Sequence, residues 1–146
     1  MAGWSFYPAS TLPAPYDIVW CAFPEGLEFD VPGPKMRPAL ILQTGLSDPG
    51  FCPEVRVVYG TSKLKKDKRR HDLFVENYQD KYDAGLFQAT RFDLERIIWL
   101  PWATEWFVSP GPHYPTPVMG SLPEHIRRVL GFLLIEQKRR RDFDEC

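Results

Sequence analysis

Cysteine is scarce in this chain and follows no pattern: Cys21, Cys52 and Cys146 are three in number and widely spaced, with no CxxC and no Cys/His cluster. An odd count without motif spacing argues against a disulfide framework and against a zinc site, and it predicts a reducing compartment. Cys21, on an apolar segment, is expected as a small core residue. The chain opens Met-Ala-Gly-Trp-Ser-Phe-Tyr-Pro, without the basic residues and unbroken apolar run of a secretory leader. No apolar run approaches the ~20 residues that a membrane-spanning helix needs. A cytoplasmic protein with no membrane partner is therefore expected. Histidine is also sparse. His71, His113 and His125 form no HxxxH spacing and have no paired carboxylates, so neither a metal nor a cofactor is expected. Internal repeats are missing too. The formal net charge is only -1, which by itself names no partner.

The 146 residues, 44% of them apolar, are enough for one domain over 1–146 with one sizeable core. Pro8, Pro13 and Pro15 keep residues 1–15 irregular, as an N-terminal arm. The β-branched and aromatic run from Tyr16 to Phe23 stops at Pro24 and predicts a buried strand. A loop holding Pro24, Gly26, Pro32, Gly33 and Pro34 leads to a second strand at Ala39 to Gln43. A third is predicted from Glu54 to Tyr59, and further short strands at 72–77 and 96–102, with Arg91 to Leu94 as an additional one. Short strands in series without intervening helices predict an antiparallel barrel or curled sheet, mainly β in class. The one helix expected spans 121–141. Ser121 and Glu124 form a capping-box pattern before it, and Ile126, Val129, Leu130, Leu133 and Leu134 make a single apolar stripe. Trp20 and Trp99 belong to apolar strands. Trp102 and Trp106 follow the last of these and are expected at a dimer or partner-protein surface. The segment from Phe107 to Pro117 is a proline-rich connection without an assigned element.

Three features carry chemistry. Lys35-Met36-Arg37-Pro38 puts an arginine at the start of a strand, where its planar paired donors match two phosphate oxygens. A salt-bridged arginine at a strand start accounts equally for that position. Gly60-Thr61-Ser62 follows the third strand, offering hydroxyls and amides to an anionic oxygen, although hydroxyls also cap ordinary turns. The segment from Lys63 to Asp72 then places Lys63, Lys65, Lys66, Lys68, Arg69 and Arg70 against Asp67 and Asp72. Such a loop either is solvated or gathers a polynucleotide backbone by releasing counterions. His71 lies at its end, within reach of the same ligand.

Taken in order, Asp17-Ile-Val-Trp20, Gly33-Pro-Lys-Met-Arg-Pro-Ala-Leu-Ile-Leu42 and Val57-Val-Tyr-Gly-Thr-Ser62 resemble segments of the MazF and PemK (Kid) toxins of type II toxin-antitoxin systems. Gly85-Leu86, the strand Phe92 to Leu100 and the terminal helix extend the likeness over most of the chain. The resemblance implies an SH3-like antiparallel barrel of five to seven strands with a C-terminal helix, usually a homodimer. It implies a metal-independent, sequence-selective endoribonuclease that cuts single-stranded RNA by 2′-hydroxyl attack, leaving a cyclic phosphate. Arg37 and Thr61 match the catalytic pair, and Lys35, Ser62, Lys63, Lys65, Arg69 and His71 are the expected substrate contacts. A cognate antitoxin with an acidic C-terminal tail would suit the basic loop. Departures are the N-terminal arm, the absence of a proline before the hydroxyl turn, and a longer, more basic insertion after it. A non-catalytic barrel binding RNA or protein, and a gyrase-targeting toxin of the same fold, are the other two classes of function; Arg37 with Thr61 favours RNA cleavage.

Overall fold

Apolar residues run without a break through 18–23, 39–42 and 57–59, as in strands covered on both faces, while 91–95 alternates with charged residues. The computed structural model describes residues 3–26, 28–48, 50–65 and 70–145, the last three by backbone alone. Its elements are β1 (Asp17–Cys21), β2 (Arg37–Ser47), β3 (Cys52–Thr61), β4 (Leu73–Val75), α1 (Tyr78–Ala84), β5 (Thr90–Pro101), β6 (Val118–Ser121) and α2 (Glu124–Glu145). The fold is mainly β, with one antiparallel sheet in the order β4-β5-β3-β2-β1-β6 and a C-terminal helix. The end strands β4 and β6 pair with β5 and β1 and not with each other, so the ladder is open.

Successive residues divide between two cores. Ile18, Leu40, Val58, Phe92 and Met119 face one side, where α2 contributes Ile126 and Leu130. Val19, Ala39, Ile41, Val57 and Leu100 face the other, under Trp102, Trp106 and Phe107. The N-terminal arm seals this second core: Trp4, Phe6, Tyr7 and Leu12 pack on it, the Tyr7 amide donates to the Trp102 carbonyl at 2.9 Å, and Phe6 bridges to Ala103. Trp102 and Trp106 are thus wholly inside, not on the dimer or partner-protein surface expected for them. Trp99, placed in the core by the apolar strand around it, is 42% exposed. Its strand position carries it to the outward side.

Several boundaries move. The two segments 91–94 and 96–102 are one strand, β5, whose register to β3 jumps from Asp93 opposite Tyr59 to Ile97 opposite Val58. The three residues between bulge out and bend the strand. The strand expected at 72–77 shortens to Leu73–Val75, because the Asn77 side chain accepts from the Asp80 amide and starts α1, a helix that no apolar stripe announced. Gly85 ends it at φ 72, the left-handed conformation that glycine takes most readily. Ser121 is not a cap. It closes β6, its hydroxyl donates to the Tyr16 carbonyl, and α2 begins only at Glu124. On α2, Ile126 and Leu130 are buried and Leu133 and Leu134 pack against the core, but Val129 is 45% exposed. The predicted stripe is one residue too wide.

Candidate functional site

β2 begins at Arg37 and β3 ends at Thr61, and their register brings the two together. Ala39 lies opposite Tyr59, so two steps further along antiparallel strands Arg37 faces Thr61. Gly60 makes this approach possible: a Cβ there would strike the Pro38 carbonyl and press on the Phe92 ring. Arg37, Pro38, Gly60, Thr61 and Ser62 line one pocket of about 90 Å³, walled on the far side by Trp20, Phe87 and Thr90. Trp20 and Phe87 meet edge to face at 5.7 Å, and Phe87 is 60% exposed.

Arg37 is held from two sides. Its Nε and Nη2 donate to one carboxylate oxygen of Glu25 at 2.9 and 2.8 Å, and its guanidinium lies 5.3 Å from the Tyr59 ring centre. Nη1 has no partner among the described residues. Arg96 covers the same Tyr59 ring at 3.8 Å. Two guanidiniums thus share one aromatic ring, a cation–π arrangement that keeps both side chains extended. The position alone allowed either a phosphate ligand or a salt-bridged arginine; the geometry contains the salt bridge and leaves the Nη1 group over. Thr61 is buried, and its hydroxyl oxygen accepts from the Lys63 amide at 3.2 Å, turning the chain out of β3. Its hydroxyl proton remains available to donate.

The other predicted contacts divide. Ser62 joins the pocket; Lys35, Lys63 and Lys65 are exposed on the segments that flank it. Arg69 lies outside the described residues. His71 lines a different and larger groove beside α2. The basic loop is less cationic than its composition states, because Arg70 is tied to Asp72, Asp93 and Glu95. Its hydrogen bond to Asp72 and its neighbouring carboxylates hold the guanidinium above its ordinary pKa. Arg91 completes the knot, donating to Asp72 at 3.0 Å and to the Lys63 carbonyl at 2.9 Å, so one side chain clamps both ends of the loop.

Glu25, Tyr59, Phe87, Arg91 and Arg96 were missed by the sequence reading. Only Arg91 had a legible signal, since Arg91, Asp93 and Glu95 alternate on one strand opposite a basic loop. His125 pairs with the buried Asp80 of α1 at 2.8 Å and does not line the Arg37 pocket. Cys21 is fully buried, which pushes its thiol pKa well up and removes it from nucleophilic chemistry. Among the described residues no group of three or more His, Cys, Asp and Glu side chains gathers as metal ligands, and no helix is long and apolar enough to cross a membrane.

Fold and site together define a class: a mainly β, single-sheet protein in which Arg37 and Thr61 line one small pocket. No protein-family model and no curated protein matches the chain.

Proposed function

We propose that this protein is a metal-independent, sequence-selective endoribonuclease of the MazF/PemK kind: the toxin of a toxin-antitoxin pair, cytoplasmic, dimeric and built on an SH3-like barrel. The observation that carries this reading is the shared pocket of Arg37 and Thr61. Exposed Lys35, Lys63 and Lys65 flank it.

In the reaction, the 2′-hydroxyl oxygen of the bound nucleotide bonds to the adjacent phosphorus and the bond to the 5′-oxygen breaks. The products are a 2′,3′-cyclic phosphate and a 5′-hydroxyl, with the proton passing from the 2′-oxygen to the leaving oxygen. Arg37 stabilises the negative charge that builds on the non-bridging oxygens, through the Nη1 group that Glu25 leaves unused. Thr61 donates its hydroxyl proton to one of those oxygens. A guanidinium with a pKa above ~12 is a poor general base at neutral pH, so electrostatic stabilisation is the role assigned to Arg37. The exposed Phe87 and half-buried Trp20 in the pocket wall offer aromatic faces to the flanking bases.

The test is incubation of a long single-stranded RNA with the purified protein in EDTA, beside Arg37→Ala, followed by mapping of fragment ends. Discrete cuts with cyclic phosphate ends are expected, slowed about 10²- to 10³-fold in the variant. A folded, antitoxin-free protein that leaves RNA intact overturns the reading. A second reading, a non-catalytic RNA-binding module, is favoured by one observation: the Thr61 oxygen is buried and already accepts a backbone hydrogen bond. It predicts retention of RNA without cuts.

A further inference from the structure

Helix α2 packs on the sheet for only part of its length. Ile126 and Leu130 are buried against the core, while Leu134, Lys138 and Arg141 face an open groove of about 1040 Å³ between helix and sheet. Gln137 acts as a strut, its side-chain amide donating to the Leu94 carbonyl at 2.6 Å. Leu42, Ile97 and Leu134 give the groove an apolar floor.

Its rim is cationic, with charges on three elements: Arg56 from β3, Arg70 beside His71 at the end of the basic loop, and Lys138 and Arg141 from α2. The acidic groups in the lining are Asp72 and Glu95, and Arg70 pairs with both, at 3.1 and 2.8 Å. Arg56 donates to the neutral Gln43 side chain at 3.1 Å. Lys138 and Arg141 make no ion pair among the described residues. Tyr16 also lines the groove. Its backbone is held at φ 76 by hydrogen bonds from its amide to Ile41 and to its carbonyl from Leu122, and Arg127 lies 4.9 Å from its ring centre. A non-glycine residue kept in this region of backbone space, with its ring partly exposed, is a feature that surrounding structure maintains at some cost.

Separated cations along an apolar channel, with an aromatic ring in its wall, match the needs of a single nucleic-acid strand: phosphates meet the rim, and base faces meet the floor and ring. An acidic peptide would answer the same cations. Continuity decides between them. Lys63 follows Ser62 of the Arg37 pocket, Asp72 lines the groove, and Arg91 bonds to both the Lys63 carbonyl and the Asp72 carboxylate, so the two sites lie within the span of one side chain. We propose that this groove seats the stretch of single-stranded RNA flanking the phosphate held at Arg37, with Arg56, Lys138 and Arg141 contacting its backbone. The proposal rests on the reading of the Arg37–Thr61 pocket as the cleavage site.

The test measures binding of a fluorescent, non-cleavable 2′-O-methyl RNA 16-mer to the full chain as a function of salt. Lys138→Glu with Arg141→Glu is compared with Arg128→Glu and Arg139→Glu, the same charge change on residues outside the groove. The groove variant is expected to lose about 10- to 100-fold in affinity, and its salt slope to fall by about 1.4, at ~0.7 per phosphate contact. The control is expected to stay within about threefold of the parent, the loss of net charge alone being screened at moderate salt. Equal losses in both variants would reduce the effect to net charge, and no loss in either would remove RNA from the groove; both results overturn the proposal. So does polyglutamate that binds the parent and not the groove variant while the 16-mer binds both alike, which would make the groove a protein site. Failure of the cleavage reading shows separately, as an unmodified RNA of the same sequence that the parent binds through the groove and does not cut.

Discussion

Gly60 matters because of what its missing side chain allows. Arg37 and Thr61 can share a pocket only if β3 comes close to the Pro38 carbonyl, and Gly60 is the residue that passes it. Gly60→Ala is expected to destabilise the fold by about 1–3 kcal/mol, the range for overpacking, because the nearest obstacle is backbone and cannot rotate away. Gly131 gives the contrast. It sits inside α2 with open space where a Cβ would go, so Gly131→Ala is expected to stabilise by about 0.5–1 kcal/mol through helix propensity. Urea denaturation of both variants checks the pair, and Gly60→Ala that unfolds at the parent's midpoint would contradict the close approach. At this scale the sequence reading was partly right: Gly-Thr-Ser was singled out, but as a turn, whereas Gly60 and Thr61 continue β3 and only Ser62 leaves it, and the neighbour that demands glycine is 22 positions away in the chain and carries no motif.

Among the elements, the basic loop is the one whose behaviour the ion pairs control. Arg91 of β5 bonds to Lys63 at one end of the loop and to Asp72 at the other. Asp72 and Asp93 are both buried, so they depend on Arg70 and Arg91 for compensation. Arg91→Met is expected to cost about 3 kcal/mol, the lower end for breaking a buried pair, since Arg70 still answers Asp72. Trypsin is expected to cut at Lys63 and Lys65 faster in this variant than in the parent, at urea concentrations where both remain folded. Unchanged stability and unchanged cutting would show that Arg70 alone holds the loop. The helix α1 and strand β6 were invisible to periodicity for a related reason. Both are short, and what fixes them is a cap at Asn77, a left-handed Gly85, and the pairing of Val118–Ser121 with β1.

The whole molecule closes around its second core with the N-terminal arm, and one carboxylate makes that closure sensitive to acid. The Ser5 amide donates to Glu105 at 2.9 Å, and this hydrogen bond, first among its causes, holds the Glu105 carboxyl below its ordinary pKa. A carboxyl with a lowered folded-state pKa stabilises the fold above its unfolded value, near 4.3, and the contribution is lost as pH falls below it. Amide exchange over residues 3–7, relative to that of β3, is expected to quicken between about pH 5 and 3. In Glu105→Gln the arm's relative protection is expected to be the same at both pH values. A parent whose arm exchanges identically at both ends of the range would show that the apolar contacts of Trp4, Phe6 and Tyr7 hold it unaided.

The sequence by itself determined that the chain is mainly β with a terminal helix, because strand identity depends on β-branched runs and proline punctuation that local residues carry. It also marked Arg37 and Thr61, whose chemistry follows from residue type beside a turn. Only the tertiary structure decided that the two share one pocket, that Glu25 grips the arginine, and that Arg70 belongs to a buried ion-pair knot. It likewise sent Trp102 and Trp106 inward and Trp99 and Val129 outward. Each of these depends on strand register, on a bulge that shifts it, or on a contact made across many residues of chain. One residue of slip moves a side chain to the opposite face of a sheet, and that slip is set by the assembled ladder and not by any single segment.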